Sequence, residues 1–121
     1  MNTPNTHRDL AAWREAMRLV KVVYRDTASF PREEIFGLTA QIRRCAISIP
    51  SNIAEGAARN SSGELIQFLG ITCGSLAELE TQLELSVDLG YLKPDADAIS
   101  LTSRVGMLLR LFRKSLRNAS S

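Results

Sequence analysis

The chain has 121 residues, 45% of them hydrophobic and 23% charged, and a formal net charge of +2. This balance is typical of one soluble globular domain and excludes a chain that is disordered overall. The longest uncharged run, Leu65 to Ala77, is too short to span a bilayer, and residues 1–9 lack the apolar core of a signal peptide. We therefore expect a cytoplasmic protein that does not contact a membrane.

The first predicted helix covers residues 10–28, where large apolar residues recur at spacings of three and four. They are Leu10, Trp13, Met17, Val20 and Tyr24. We expect Trp13 and Tyr24 to anchor the core and not to form a ligand cage. Pro31 then predicts a short helical turn that ends before Gly37.

The second predicted helix includes residues 42–59, IRRCAISIPSNIAEGAAR, and its pattern continues in register across Pro50. At 100° per residue its polar positions form one stripe: Gln41, Arg44, Ser48, Asn52, Glu55 and Arg59. Its apolar positions form a second stripe: Leu38, Ile42, Cys45, Ala46, Ile49, Ile53 and Ala57. Proline removes a backbone donor and disfavours the α region before it, which allows two short helices. The shared register favours one helix kinked at Pro50.

Two further helices follow. Ser61 and Glu64 have capping-box spacing, and Gly90 is a natural stop for helix three. Its apolar seam is Leu65, Leu69, Thr72, Leu76, Leu79 and Leu83. Gly70 and Gly74 form GxxxG, which predicts a close crossing with a neighbouring helix. Asp95 or Asp97 can cap helix four, whose apolar side is Leu101, Val105, Leu108, Phe112 and Leu116.

These patterns predict an all-α fold, an up-down-up-down antiparallel four-helix bundle with a proline-kinked second helix. The domain covers residues 10–117, between flexible tails at 1–9 and 118–121. Cys45 and Cys73 lie inside helical patterns, without CxxC spacing or a nearby histidine. We expect both to be reduced core residues, with a disulfide as the alternative.

Four stretches of the chain carry a family resemblance: DLAAWREAM, FPREEIFGLTAQIRRCAISIPSNIAEG, FLGITCGSLAELETQLELS and LGYL. Over roughly residues 9–93 the chain resembles the four-helix-bundle proteins encoded in intervening sequences of bacterial 23S rRNA genes. The specific part is IRRCAISIPSNIAEG, whose motif positions are Arg44, Pro50, Asn52, Glu55 and Gly56. Cys45 and Gly70 stand where alanine or another small residue is expected.

The resemblance implies a bundle whose proline segment stays helical and whose subunits assemble into a ring-like homo-oligomer, a pentamer. A related branch of the family serves as accessory protein to the reverse transcriptase of diversity-generating retroelements. Most members have no assigned activity. A reverse transcriptase and RNA or DNA are therefore candidate partners, besides other copies of the chain.

Charge is unevenly distributed between the last two helices. Residues 60–92 contain five acids and no Lys or Arg, whereas five bases and no acid follow residue 98. Glu80, Glu84 and Asp88 succeed one another at four-residue spacing, which is mildly destabilising unless cations lie alongside. Folding the helices back on each other places Arg104 level with about Glu80, and Arg43 and Arg44 near Glu78 and Glu80.

The remaining bases of helix four are a candidate nucleic-acid site: Arg110, Arg113, Lys114 and Arg117. Repeated around a ring, they would form a polybasic surface for phosphate backbones. The alternative is a solvated face, or one paired with helix one or with another subunit's Glu80, Glu84 and Asp88. Arg43, Ile47 and Ala54 form a third face of helix two, which is either a subunit interface or a contact with another helix of the same chain.

The residues that catalysis needs are scarce. His7 is the only histidine and lies in the predicted tail, and neither Glu-x-x-His pairs nor a phosphate-binding glycine loop occurs. Ser51, Asn52 and Glu55 are expected to satisfy backbone groups freed by Pro50, although hydrolysis at this polar stripe is a third hypothesis. We expect no enzyme, no cofactor and no metal. The leading hypothesis is an adaptor that binds nucleic acid, and the second is a purely structural or protein-binding scaffold.

Overall fold

The computed structural model describes residues 7–120, apart from the side chains of Asp9 and Ser120. Four α-helices follow one another: α1 (Ala11–Thr27), α2 (Leu38–Ala57), α3 (Ser62–Asp88) and α4 (Asp97–Ser120). Single 3₁₀ turns lie at His7–Asp9 and Arg32–Glu34. No strand occurs within residues 7–120, so the all-α prediction is confirmed.

The four helices surround one hydrophobic core. α1 packs against α2, α2 against α3, α3 against α4, and α4 against α1. Each helix contributes large side chains with almost no exposed surface, as the burial of apolar area requires. The largest are Leu19, Ile42, Ile49, Ile53, Leu69, Leu79, Leu83 and Leu109. The four-helix bundle is confirmed.

α2 runs through Pro50 as one helix. Every position of the predicted apolar stripe is buried, except that Leu38 and Ala57 are half-buried. Pro50 itself is buried and cannot donate to the carbonyl of Ala46. The hydroxyl of Ser51, the residue after Pro50, donates to the Ile47 carbonyl at 2.8 Å. The prediction of one helix over two is correct.

The core-facing side of α1 differs from the prediction. The buried positions are Ala12, Ala16, Leu19, Val23 and Thr27. Tyr24 is 40% exposed and Met17 37% exposed, so neither is a core anchor, whereas Trp13 is half-buried against the core. α1 carries apolar residues on more than one side. The spacing of the large residues predicted the side that includes Met17 and Tyr24, whereas the side that includes Leu19 and Val23 is the one that is buried. Because α1 packs against both α2 and α4, small side chains such as Ala12 and Ala16 fit on the side of α1 that faces the core.

Two of the helix N-termini are capped by residues close in sequence. Ser61 accepts a hydrogen bond from the Glu64 amide at 3.2 Å, as the capping-box spacing predicts. At the start of α2, the Glu34 carboxylate accepts from the Leu38 amide at 3.2 Å. The same carboxylate accepts from the Tyr91 hydroxyl at 3.2 Å and so ties α2 to the loop after α3.

The N-terminus of α4 is capped from α1. Asp26 accepts a hydrogen bond from the Ala98 amide at 3.0 Å, in the role predicted for Asp95 or Asp97. Arg25 pairs with both Asp26 and Asp97, at 3.1 and 2.8 Å. Because the cap lies 72 residues earlier in the chain, no local sequence pattern reveals it.

The ends of the domain extend past the predicted limits. The His7 ring lies edge-on to the Trp13 ring at a centroid distance of 4.9 Å, so the packed chain begins before residue 10. α4 continues to Ser120, beyond the predicted end at residue 117. The rest of the predicted tails, residues 1–6 and 121, lies outside the described residues. α3 ends at Asp88 and Gly90 has a φ of 81°, as predicted.

Both cysteines are free thiols. Cys45 is buried and its thiol donates to the Ser75 carbonyl at 3.1 Å. Burial, with a smaller contribution from the Glu78 charge, raises the pKa of the Cys45 thiol to about 11, so it stays protonated and unreactive. No helix of the described part of the chain is long and apolar enough to cross a membrane.

Candidate nucleic-acid interface

The basic residues in the C-terminal half of α4 are called here the basic stripe: Arg110, Arg113, Lys114 and Arg117. Spacings of three and four place them on one side of the helix. Arg110, Lys114 and Arg117 are exposed, whereas Arg113 is half-buried. The structure thus brings the four predicted residues together, with three of them open to solvent.

Arg113 lies across Gly70 of α3. A Cβ atom added at Gly70 would be 2.8 Å from Arg113 Nη2, so glycine is what lets the guanidinium rest between the two helices. Arg113 Nε is buried and has no hydrogen-bond acceptor among the described residues. Arg113 therefore adds positive charge to the stripe while being held in place by packing.

The GxxxG pair behaves differently from the prediction. Gly70 accommodates an arginine side chain, and a Cβ atom at Gly74 would have nothing within 4 Å. The glycine at a tight helix crossing is Gly56 of the family motif, where an added Cβ atom would be 2.6 Å from Phe68 Cβ. The GxxxG spacing identified Gly70 and Gly74 of α3, but it did not reveal which surface each glycine faces.

Among the side chains that the structure describes, no carboxylate lies within ion-pair distance of the basic stripe. The ion pairs of this region join Glu15, Asp26, Glu55 and Asp97 to arginines outside the stripe. Arg104, the fifth base of α4, pairs with Glu15 of α1 at 2.7 Å. Arg104 lies level with Glu80 along the bundle, as the sequence predicts, because the adjacent residues Thr102 and Ser103 share a groove with Glu80. The Arg104 side chain nevertheless contacts α1 and not Glu80.

The Glu15–Arg104 pair gives a pH-dependent contribution to stability. The hydrogen bond from Arg104, assisted by Arg18 and opposed by partial burial, lowers the pKa of Glu15. Its stabilisation is therefore complete above the ordinary glutamate pKa of about 4.3 and is lost as the pH falls through the lower folded-state value. We expect Glu15→Gln to be less stable than the wild type at neutral pH, with the difference disappearing in acid.

Urea denaturation at a series of pH values measures this difference. Arg104→Gln is expected to remove most of the pH dependence, and the Arg18–Glu15 pair retains the remainder. A difference between wild type and Glu15→Gln that stays constant from neutral to acid pH would contradict the assignment.

Three acids of α3 line a groove of about 390 Å³ between α3 and α4, called here the acidic groove. They are Glu80, Glu84 and Asp88, and all three are exposed. Leu83, Val87 and Ile99 provide apolar surface in the same groove. None of the three acids has an ion pair within the described part of the chain.

The third face of α2 is partly occupied by α1. Arg43 Nε donates to Thr27 Oγ1 at 3.0 Å, and the guanidinium lies over the Tyr24 ring at 4.5 Å from its centroid. This is the intrachain contact that was the alternative for Arg43. Ile47 remains 42% exposed and Ala54 is half-buried, so their assignment to a subunit interface stays a prediction.

The other residues of the family motif in α2 mainly contact other parts of the same chain. Arg44 is exposed and lines a shallow groove with Glu78, without a direct ion pair in the described structure. Glu55 pairs with Arg59 at 3.1 Å, as their four-residue spacing allows, whereas it was also expected to satisfy backbone groups freed by Pro50. Asn52 is half-buried, and Gly56 is buried at the crossing with α3.

Comparison with known families identifies the chain. A family model described as 23S rRNA-intervening sequence protein matches residues 8–113, which is most of the sequence. The chain belongs to this family. The 23S rRNA-intervening sequence protein match confirms the predicted resemblance and includes all of α1, α2 and α3. A search of the curated proteins finds no match.

The family match ends within the basic stripe. Arg110 and Arg113 lie inside residues 8–113, whereas Lys114 and Arg117 lie beyond them. The family motif of α2 falls fully inside the match and is embedded in the bundle. Among the described residues, no group of three His, Cys, Asp or Glu side chains is placed to hold a metal ion.

Proposed function

We propose that this 23S rRNA-intervening sequence protein is a non-enzymatic, homo-oligomeric adaptor that associates with nucleic acid through the basic stripe. The observation that carries the proposal is the exposure of Arg110, Lys114 and Arg117 with no carboxylate in reach within the described residues. Unneutralised cations at this spacing attract the phosphate backbone and release its counterions. Repetition in an oligomer multiplies the field that one subunit creates.

Binding of this kind is directed at the backbone. Phe112, the aromatic residue within the stripe, is half-buried and packs against the core, so it offers no free face for base stacking. Contacts to phosphates position a protein without reading bases. We therefore propose weak sequence specificity and a strong dependence of affinity on salt.

We further propose the architecture that presents the stripe: an up-down-up-down antiparallel bundle with α2 kinked at Pro50, assembled as a pentameric ring. Contacts along α2 and α3 support opposite directions, because Gly56 lies beside Phe68 whereas Cys45 bonds to Ser75. The exposed Ile47 beside Arg43 supports a subunit contact on the α2 side. The proposed partners are RNA or DNA and, by the family resemblance, a reverse transcriptase in the cytoplasm.

The test is a salt titration of RNA and DNA binding by the wild type and a triple variant, Arg110→Gln, Lys114→Gln and Arg117→Gln. If each residue contacts one phosphate, the slope of log affinity against log salt should fall by about 2 to 3. We expect the affinity at low salt to drop by roughly tenfold or more. Arg113 is left unchanged because it packs on Gly70.

A matched control removes the same charge elsewhere. Lys21, Arg32 and Lys93 are exposed and lie outside α4, so Lys21→Gln, Arg32→Gln and Lys93→Gln together also lower the net charge by three. This variant is expected to keep most of the affinity and the slope. Equal losses in both variants, or no binding by the intact oligomer at low salt, would reject the proposed interface.

A protein-binding scaffold is the second candidate function, and the acidic groove is the observation that favours it. Its exposed carboxylates and apolar surface match a basic, partly apolar partner. This candidate predicts that the stripe variant retains its protein partners in pull-downs. Recovery of nucleic acid without any protein partner would count against it.

A further inference from the structure

The α3–α4 face carries opposite charges at its two ends. At one end Glu80, Glu84 and Asp88 line the acidic groove together with Thr102 and Ser103 of α4. At the other end Arg113 lies on Gly70, with Arg110 and Arg117 on the same side of α4. Ser103 and Arg113 are ten positions apart in α4, which separates the two ends by about 15 Å.

The two charged ends are alike in length. Glu80 to Asp88 covers about 12 Å of helix axis, and Arg110 to Arg117 covers about 10 Å. Neither end is neutralised by an ion pair with any of the described side chains. The carboxylates at four-residue spacing repel one another unless cations lie alongside. The cations of the basic stripe likewise repel one another unless anions lie alongside.

We infer that a second copy of the chain docks on this α3–α4 face through a two-fold axis. Turning one copy by half a revolution places its acidic groove opposite its partner's basic stripe, and the reverse contact forms at the same time. A two-fold interface is self-complementary in this way, with each patch used twice. Met107, which is exposed on α4 between Ser103 and Arg110, supplies apolar surface beside the paired charges.

This pairing covers the basic stripe and so competes with nucleic acid. That consequence rests on the proposed function, but the pairing itself does not. The pairing does not involve the side of α2 that carries Ile47, because α2 and α4 pack on different sides of α3. A ring closed through α2 can therefore pair with a second ring, and pairing doubles the mass whatever the subunit number.

Two charge-reversal variants test the inference. The acid-reversed variant carries Glu80→Lys, Glu84→Lys and Asp88→Lys, and the base-reversed variant carries Arg110→Glu, Lys114→Glu and Arg117→Glu. We expect light scattering to show a doubled mass for the wild type at low salt and its loss when salt screens the charges. Each variant alone should keep the single mass at low salt. An equimolar mixture of the two should restore the doubled mass, because both complementary contacts are then available.

Circular dichroism checks that both variants are folded, and triple glutamine variants at the same positions provide a second, milder pair. A wild-type mass that does not change with salt, or a mixture that does not associate, would overturn the inference. A basic peptide as the true occupant of the acidic groove would also leave the wild-type mass unchanged and would overturn it.

Nucleic-acid binding separates the two proposals. The variant with Glu80→Gln, Glu84→Gln and Asp88→Gln keeps the basic stripe, loses the competing copy and adds no cation, so it should bind RNA at least several-fold more tightly than the wild type at low salt. The same doubling of mass without any RNA binding would reject the proposed function and leave the pairing standing. RNA binding by a wild type that never doubles its mass would reject the pairing alone.

Discussion

Replacing Ile53 by alanine is expected to lower the free energy of unfolding by about 2 to 5 kcal/mol. Ile53 lies three residues after Pro50 and its side chain has no exposed surface. The substitution removes buried apolar atoms and leaves a cavity, because the helices around it are held in place by the rest of the core. The size of the loss tests whether the apolar stripe of α2 really continues through the proline.

Urea denaturation followed by circular dichroism, at one fixed protein concentration, measures this loss. Ile71→Ala is the matched control, because Ile71 is also within a helix but is 51% exposed. Its free energy of unfolding should change by no more than about 0.5 kcal/mol. Similar small changes in both variants would mean that the segment after Pro50 does not pack as described.

Replacing Gly56 by alanine is expected to destabilise the bundle by about 1 to 3 kcal/mol. The added Cβ atom would be 2.6 Å from Phe68 Cβ and 3.1 Å from Leu65 Cδ1, so α2 and α3 must move apart. Alanine favours a helix over glycine by about 0.5 to 1 kcal/mol, which only partly offsets the overpacking. The neighbouring Cβ atom belongs to the start of the side chain and cannot swing away.

Gly74→Ala is the control for helix propensity alone. It lies inside α3, where an added Cβ atom meets nothing within 4 Å. The same substitution should therefore stabilise the protein by about 0.5 to 1 kcal/mol, opposite in sign to Gly56→Ala. Thermal or urea unfolding of the two variants gives both signs. A stabilising Gly56→Ala would contradict the close crossing.

Helix periodicity performed well where one side of a helix is clearly apolar. In α3, Leu69, Leu76, Leu79 and Leu83 are all buried as the seam predicts. In α4 the prediction included Leu101 and Val105 but not Leu109, which has no exposed surface. For the first helix the periodicity was right only in part. Leu10, Trp13 and Val20 pack on the core, whereas Met17 and Tyr24 are exposed, and only the neighbouring helices decide between the two apolar sides of α1.

The candidate site shows the same division. Sequence alone grouped the basic stripe on one side of α4, because spacings of three and four are a property of the helix itself. It did not reveal that Arg113 lies over Gly70, since the two residues meet only when α3 and α4 pack together. The partner of Arg104 was likewise a residue of α1, Glu15, and not one of the acids on α3.

The amino-acid sequence by itself determined the four helices, the main apolar sides of α2, α3 and α4, the continuity of α2 through Pro50 and the family. The helices and their apolar sides follow from local periodicity and capping, which depend on residues within a few turns of one another. The family follows from the resemblance carried by the motif in residues 42–56. Only the tertiary structure decided that Asp26 caps α4, that Gly56 is the tight crossing, and that both ends of the α3–α4 face lack ion pairs within the described chain. Each of these depends on which distant side chains meet when the helices pack, and no spacing along one helix encodes that contact.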